Sequence, residues 1–256
     1  MYLRLIYFKI IIFILLFSAV FFEIHIYNLL PTRKLSENLD SIPWLFSAIA
    51  LIFSILSGFI IQSKWNTWNA LIDASQGELT MLRRLHIIAH HFPPASKEQI
   101  RQGISSYLEQ IIKESTSDYD RGIRSTSVDE KAVKLEDILF VILQKYPESG
   151  TIALNYFVRS MEYREKRLQN GALHLPRALR YFFIFSTSCI ILSSLFIGVG
   201  SLLYYYLFTL IIGLLSFGIY LLVDDLDHPY HEGNWHLSTK GYEELYHVVK
   251  KKLESQ

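Results

Sequence analysis

YFFIFSTSCIILSSLFIGVGSLLYYYLFTLIIGLLSFGIYLLV, residues 181–223, runs 43 residues without an Asp, Glu, Lys, Arg or His. About 18 uncharged, mostly apolar residues already suffice for a membrane span. This stretch is therefore too long for one span and has to fold back once. Gly198-Val199-Gly200-Ser201 supplies the turn, which predicts a third transmembrane helix over 181–197 and a fourth over 202–223. Outward from it, Ser41 to Ser63 is a second uncharged run of 23 residues. It reaches about 34 Å as a helix and predicts a span over 42–61. Ile10–Phe22, IIIFILLFSAVFF, is a third apolar run. Extended back to Leu5 it gives a first span over 5–22, with Lys9 snorkelling to the interface. A secretory signal peptide is the rival reading, since Arg4 and Lys9 suit its basic start. No small-x-small cleavage pattern precedes Glu23, so the helix is read as retained.

Four spans make the chain an all-α polytopic membrane protein and exclude a plain soluble enzyme. The composition, 51% hydrophobic, also excludes disorder. A formal net charge of +1 argues against nucleic-acid binding by bulk charge. The single cysteine, Cys189, excludes an internal disulfide framework. Aromatic residues fall where water interfaces belong: Trp44, Trp65, Trp68, Tyr181-Phe182-Phe183 and Tyr204-Tyr205-Tyr206. Of 25 Lys and Arg, only Arg33 and Lys34 lie in the short 23–40 loop. By the positive-inside rule both termini are cytoplasmic, and the expected location is the cytoplasmic (inner) membrane.

The insert between the second and third spans, 64–180, and the tail, 224–256, read as helical. Apolar residues continue out of the second span at helical spacing (Ile61, Trp65, Trp68, Ile72, then Leu79, Leu82, Leu85, Ala89) with no proline before Pro93. One long helix is expected to leave the membrane. Ser96 with Gln99 reads as a capping box for the next helix, whose apolar face is Ile100, Ile104, Tyr107, Leu108, Ile111 and Ile112. Residues 115–129 read as a polar loop. Helices are expected over 130–146 and 150–170, split by Pro147, and an amphipathic tail helix over 239–253 on Tyr242, Leu245, Val249 and Leu253. Pro176 marks the start of the third span.

Sites of chemistry are sparse. The sequence has no P-loop, GxSxG, HExxH or GxGxxG, so no enzyme activity and no cofactor is expected. His86 and His90, with His91, form an i, i+4 pair that suits ordinary interfacial histidines better than a metal. Asp224, Asp225, Asp227, His228 and His231 cluster after the fourth span. They could hold Ca²⁺ or a transition metal, or serve as caps and partners for basic residues at the other span ends. In the second span Leu51, Ile55 and Phe59 stand at i, i+4, i+8 beside a small row, Ala50, Ser54 and Gly58. Small residues let membrane helices approach closely. Bulky rows gathered round an axis would form an apolar constriction; the plain alternative is that this row faces lipid or a neighbouring helix.

IPWLFSAIALIFSILSGFIIQSKWNTWNALIDASQGELTMLRRL, Ile42 to Leu85, resembles the second transmembrane segment of bestrophins. The shared features are a proline at the start (Pro43), a Gly-Phe pair (Gly58-Phe59), a tryptophan segment (Trp65, Trp68) and a long helix beyond. LDHPY, Leu226 to Tyr230, resembles the segment by which bestrophins leave their last span. The tryptophans are split here, and HEGNWHLS replaces the acidic Ca²⁺-binding run of the animal members. The chain is most similar to the bestrophin-related bacterial four-span proteins. The resemblance implies a single bestrophin-like domain over 1–256, and a homopentamer built around the second spans with Leu51, Ile55 and Phe59 as the channel neck. It further implies lipid and small inorganic ions, chloride or other monovalent ions, as its partners. The alternative is a non-conducting membrane scaffold or sensor whose cytoplasmic helices bind a protein partner.

Overall fold

A computed structural model describes residues 2–27, 42–113, 124–196, 201–231 and 235–254, with the side chains of 2–6, 42–43 and 252–254 excepted. The expected outer loop with Arg33 and Lys34, the turn at 198–200 and most of the polar loop at 115–129 lie outside the described residues, as does the Leu253 side chain. Every element among the described residues is helical: α1 (Tyr2–Ile26), α2 (Ile42–Ile88), a 3₁₀ turn (Ala89–His91), α3 (Pro94–Lys113), α4 (Thr126–Lys145), α5 (Pro147–Gly171), α6 (Arg177–Ser194), α7 (Leu202–Asp227) and α8 (Lys240–Glu254). Three of these hold segments long and apolar enough to cross a membrane, Tyr7–Ile26, Trp44–His91 and Leu202–Asp227. α6, expected as a third span over 181–197, is an 18-residue helix that starts earlier, at Arg177, and ends at Ser194.

Local chemistry sets the boundaries. α2 runs 47 residues because nothing in it breaks a helix. It tightens into the 3₁₀ turn Ala89–His91, which ends where Phe92 turns extended (φ −93°, ψ 158°) ahead of Pro93, the conformation a following proline imposes. α3 then starts on Pro94, a residue suited to a first helical position. The expected capping box is therefore not formed: Ser96 lies inside the first turn and is buried. α4 begins at Thr126 rather than 130. α5 begins with Pro147 at its first turn, and a Cβ on Gly150 would come within 2.6 Å of Leu143 Cα, so the α4–α5 corner requires glycine there.

The described residues form two compact units. One comprises Met1–Trp65, Leu175–Asp227 and Glu232–Trp235. In it α1 packs on α7 through a ladder of rings. Phe13 stacks on Phe217 with centroids 4.5 Å apart, and Phe21 tilts against Tyr205 at 4.9 Å. Gly213 lets the Phe13 ring approach. Phe53 of α2 stacks on Phe183 of α6, and Ile60, Ile190 and Val223 complete that core. Several hydroxyls here bond back to their own helix, as Ser18 to Ile14 O at 2.6 Å and Thr187 to Phe183 O at 2.8 Å. That keeps them satisfied where no water is at hand.

The other unit comprises Asn66–His174, His228–His231 and His236–Gln256. Its core joins Leu82 and Leu85 of α2 and Ala89 of the 3₁₀ turn to Ile100, Ile104 and Leu108 of α3, Leu135 and Leu139 of α4, and Phe157 of α5. Tyr242, Leu245 and Val249 of α8 close it, the face expected from their spacing. Trp68 and Tyr205, read as interfacial aromatics, are instead buried each in its own unit, while Trp44, Tyr181 and Tyr204 are exposed.

Candidate pore-lining helix and its buried charges

The α2 stretch before Trp65 has one covered face. Phe53, Ser57, Ile60 and Lys64, at i, i+4, i+7 and i+11, are all buried. At about 100° per residue, position 55 lies roughly opposite position 53. Leu51, Ile55 and Phe59 accordingly stay exposed, at 62%, 52% and 72%. Among the described residues, no helix of the same unit covers this row. The small row flanks it. Ala50 packs partly against the Phe53 cluster, Ser54 donates to Ala50 O at 2.8 Å, and a Cβ on Gly58 would meet nothing within 4 Å.

Where the apolar stretches end, charge is buried. α7 runs four residues past the expected end of the fourth span and takes Asp224, Asp225 and Asp227 into its last turn. Carboxylates at a helix C-terminus oppose the helix dipole, and Asp227 is offset by two cations. Its carboxylate pairs with Lys64 of α2 and Arg180 of α6 and accepts the Leu175 backbone N–H at 2.7 Å. Lys64 and Asp227 are almost wholly buried, whereas Arg180 is partly open. Of the two roles open to the cluster, Asp227 takes that of partner for basic residues at the other span ends. Asp224 and Asp225 are half-buried. His228 and His231 belong to the other unit, as do His86 and His90, whose rings meet edge to face at 5.4 Å.

A second buried charge was missed from the sequence. Glu78 is fully buried. It accepts Tyr107 Oη–H at 2.8 Å, Tyr242 Oη–H at 2.9 Å and Arg167 Nε–H at 2.9 Å. Burial, reinforced by the Glu78 charge, pushes the Tyr107 hydroxyl well above its usual pKa. Burial does the same to Tyr242, against the opposing pull of Arg167. Both phenols thus stay protonated and donate. The arrangement is a structural lock among α2, α3, α5 and α8. The available signal was Glu78 standing in the helical row of Leu71, Ser75, Leu82 and Leu85, an acid at a core position.

The comparisons with known proteins follow this architecture. The Bestrophin-like domain family matches residues 14–234. A crystal structure of a point mutant of a bacterial bestrophin homolog from Klebsiella pneumoniae superposes with TM-score 0.75 at 11% identity, covering 97% of this chain and 98% of that one. A second mutant structure of a bestrophin homolog from the same organism gives TM-score 0.74 at 15% identity, covering 98% and 99%. No curated protein matches the sequence. With the family pattern spanning most of its length and the fold shared from end to end, the chain belongs to the bestrophin-like family.

Proposed function

We propose that five copies of the chain surround an axis with their α2 helices and pass small monovalent ions, chloride among them, passively across the cytoplasmic membrane. The observation that carries this reading is the exposed row Leu51, Ile55 and Phe59 on a membrane-length helix, opposite the face its own unit covers. In a membrane such a row meets lipid, a neighbouring copy or a lumen. Ala50, Ser54 and Gly58 on its flank suit close approach of a second helix, which turns the bulky row toward the axis. A ring of Leu, Ile and Phe side chains is a constriction that ions cross only on wetting. With α6, at about 27 Å, taken as a further crossing, the chain has four crossings and both termini on one side, which the distribution of basic residues assigns to the cytoplasm. A ring of Leu, Ile and Phe side chains offers no nucleophile, acid or base, and the role proposed for it is transport rather than catalysis.

The test is planar-bilayer recording from reconstituted protein in asymmetric chloride salts, paired with native mass measurement. Five chains per particle and a current whose reversal potential follows a permeant ion are expected. A species that stays monomeric in lipid nanodiscs, or a pentamer that passes no current, contradicts the channel and favours the scaffold. Topology has its own check. In a Cys189→Ala background, Ser36→Cys is expected to react with an impermeant thiol reagent on intact cells and Ser117→Cys is not; the reverse pattern contradicts the orientation.

A further inference from the structure

We infer that Asp73 makes the ion path favour cations over chloride, by setting one carboxylate per copy on the face of α2 that continues the neck row beyond Trp65. This role rests on the reading proposed above, that α2 surrounds an axis, and it names which of the small ions cross more readily. Asp73 lies 18 residues after Ile55. At about 100° per residue that is five full turns, so the two share one angular position on the helix. Gln62, Asn66, Asn69 and Thr80 fall within about 40° of the same direction, and all are exposed. The covered face is opposite. Leu71, Glu78 and Leu82, each fully buried, lie within about 40° of the reverse direction. A row that is apolar at Leu51, Ile55 and Phe59 thus continues as amides and a hydroxyl around one carboxylate.

Net charge on this stretch of α2 comes from Asp73 alone. Between Phe59 and Arg83 the ionisable side chains are Lys64, Asp73 and Glu78. Lys64 is buried against Asp227, and Glu78 against Arg167, so those two are offset. Asp73 is exposed, and among the described residues no ion pair holds it. The next cation in its direction is Arg84, whose guanidinium carbon lies 5.9 Å from the Tyr156 ring centre. Arg84 is about 16 Å further along the helix. That exceeds the Debye length of about 8 Å at physiological salt, so its field is largely screened at the level of Asp73. Amides and hydroxyls can solvate ions of either sign, whereas a carboxylate cannot. Rings of Asp or Glu side chains concentrate cations in an aqueous passage and repel anions. The apolar neck sets a barrier for both signs, and Asp73 decides which sign is enriched on its approach.

The test is the reversal potential of the full-length protein in planar bilayers under a potassium chloride gradient, for the parent, Asp73→Asn, Asp73→Lys and Asp73→Glu. The parent is expected to reverse toward the potassium equilibrium potential. Asp73→Asn should lower the potassium-to-chloride permeability ratio at least about threefold. Asp73→Lys should lower it further, and Asp73→Glu should keep it. The difference between parent and Asp73→Asn should grow as the salt is diluted, because screening weakens. Glu244→Gln, which removes an exposed acid on α8, should leave the ratio as in the parent. Unfolding curves show whether each variant is folded; where Asp73→Asn is not, Asp73→Ser replaces it. A parent that passes no current overturns the channel reading and the role of Asp73 with it. A conducting parent that reverses toward the chloride potential, or folded Asp73→Asn and Asp73→Lys with the parent's ratio, overturns the role of Asp73 and leaves the channel reading standing.

Discussion

The two stretches of α2 follow opposite rules. Before Trp65 the large apolar residues Leu51, Ile52, Ile55 and Phe59 are exposed. After it Leu71, Leu82 and Leu85 are fully buried, and the exposed positions are polar (Asn66, Asn69, Asp73, Gln76, Thr80, Arg83 and Arg84) except for Ile87 near the helix end. One continuous helix is thus written for two surroundings. The second stretch is completed by its own unit, with the core of α3, α4, α5 and α8 covering it. Among the described residues the first is left with apolar surface that water does not favour; on the reading proposed above, lipid, another copy or a narrow lumen covers it.

Buried charge carries the largest expected effect and sharpens this comparison, because each unit holds a buried carboxylate paired with cations. Glu78→Ala leaves Arg167 buried without its carboxylate and is expected to cost about 3–5 kcal/mol. Asp227→Ala does the same to Lys64, at a similar cost. Unfolding followed in detergent and in nanodiscs measures both. A loss below about 1 kcal/mol in either would show that water reaches that pair.

Next in size is a matched pair of truncations on α2. Leu82→Ala should destabilise by about 2–5 kcal/mol, as for a filled core position. Leu51→Ala should stay within about 0.5 kcal/mol in the monomeric unit, as for a surface position. Equal losses in a dissociated monomer would break the contrast between the two stretches.

A smaller effect is set by pH. Tyr107 and Tyr242 have folded pKa values raised above the ordinary value of 10.0. Folding holds their protons, so their contribution is complete below about pH 10 and is lost as pH rises toward the folded values. Alkaline unfolding should therefore set in later for Tyr107→Phe than for the parent, measured relative to each protein's stability at pH 8. An unchanged alkaline limb would mean that other groups control it.

These effects divide along the same line as what the sequence discloses. Apolar runs disclose α1, α2 and α7 because a bilayer demands about 18 or more mostly apolar residues, the run of α1 reaching that length only with Lys9 at its edge. The face of α8 is legible because Tyr242, Leu245 and Val249 share one helical stripe. Ser96 misleads because Pro94 starts the helix two residues earlier and leaves no capping position. The Asp227 cluster is half legible: acids and bases at span ends must find partners, but spacing does not say which. The Glu78 lock is hidden because its partners lie 29, 89 and 164 residues away in the chain. Local pattern carries no trace of such distances. The Leu51, Ile55, Phe59 row is plain in the sequence, and its exposure opposite the covered face comes only from the folded chain.

The central claim, that this row lines an ion path, is tested most directly by single-channel recording from Ile55→Ala/Phe59→Ala in planar bilayers. Removing the bulky groups widens an apolar constriction and lowers its dewetting barrier. The expected result is a pentamer of parent stability whose conductance and open probability both rise. A pentamer with unchanged current, or an assembly that falls apart because the two side chains were packing groups, would contradict the neck.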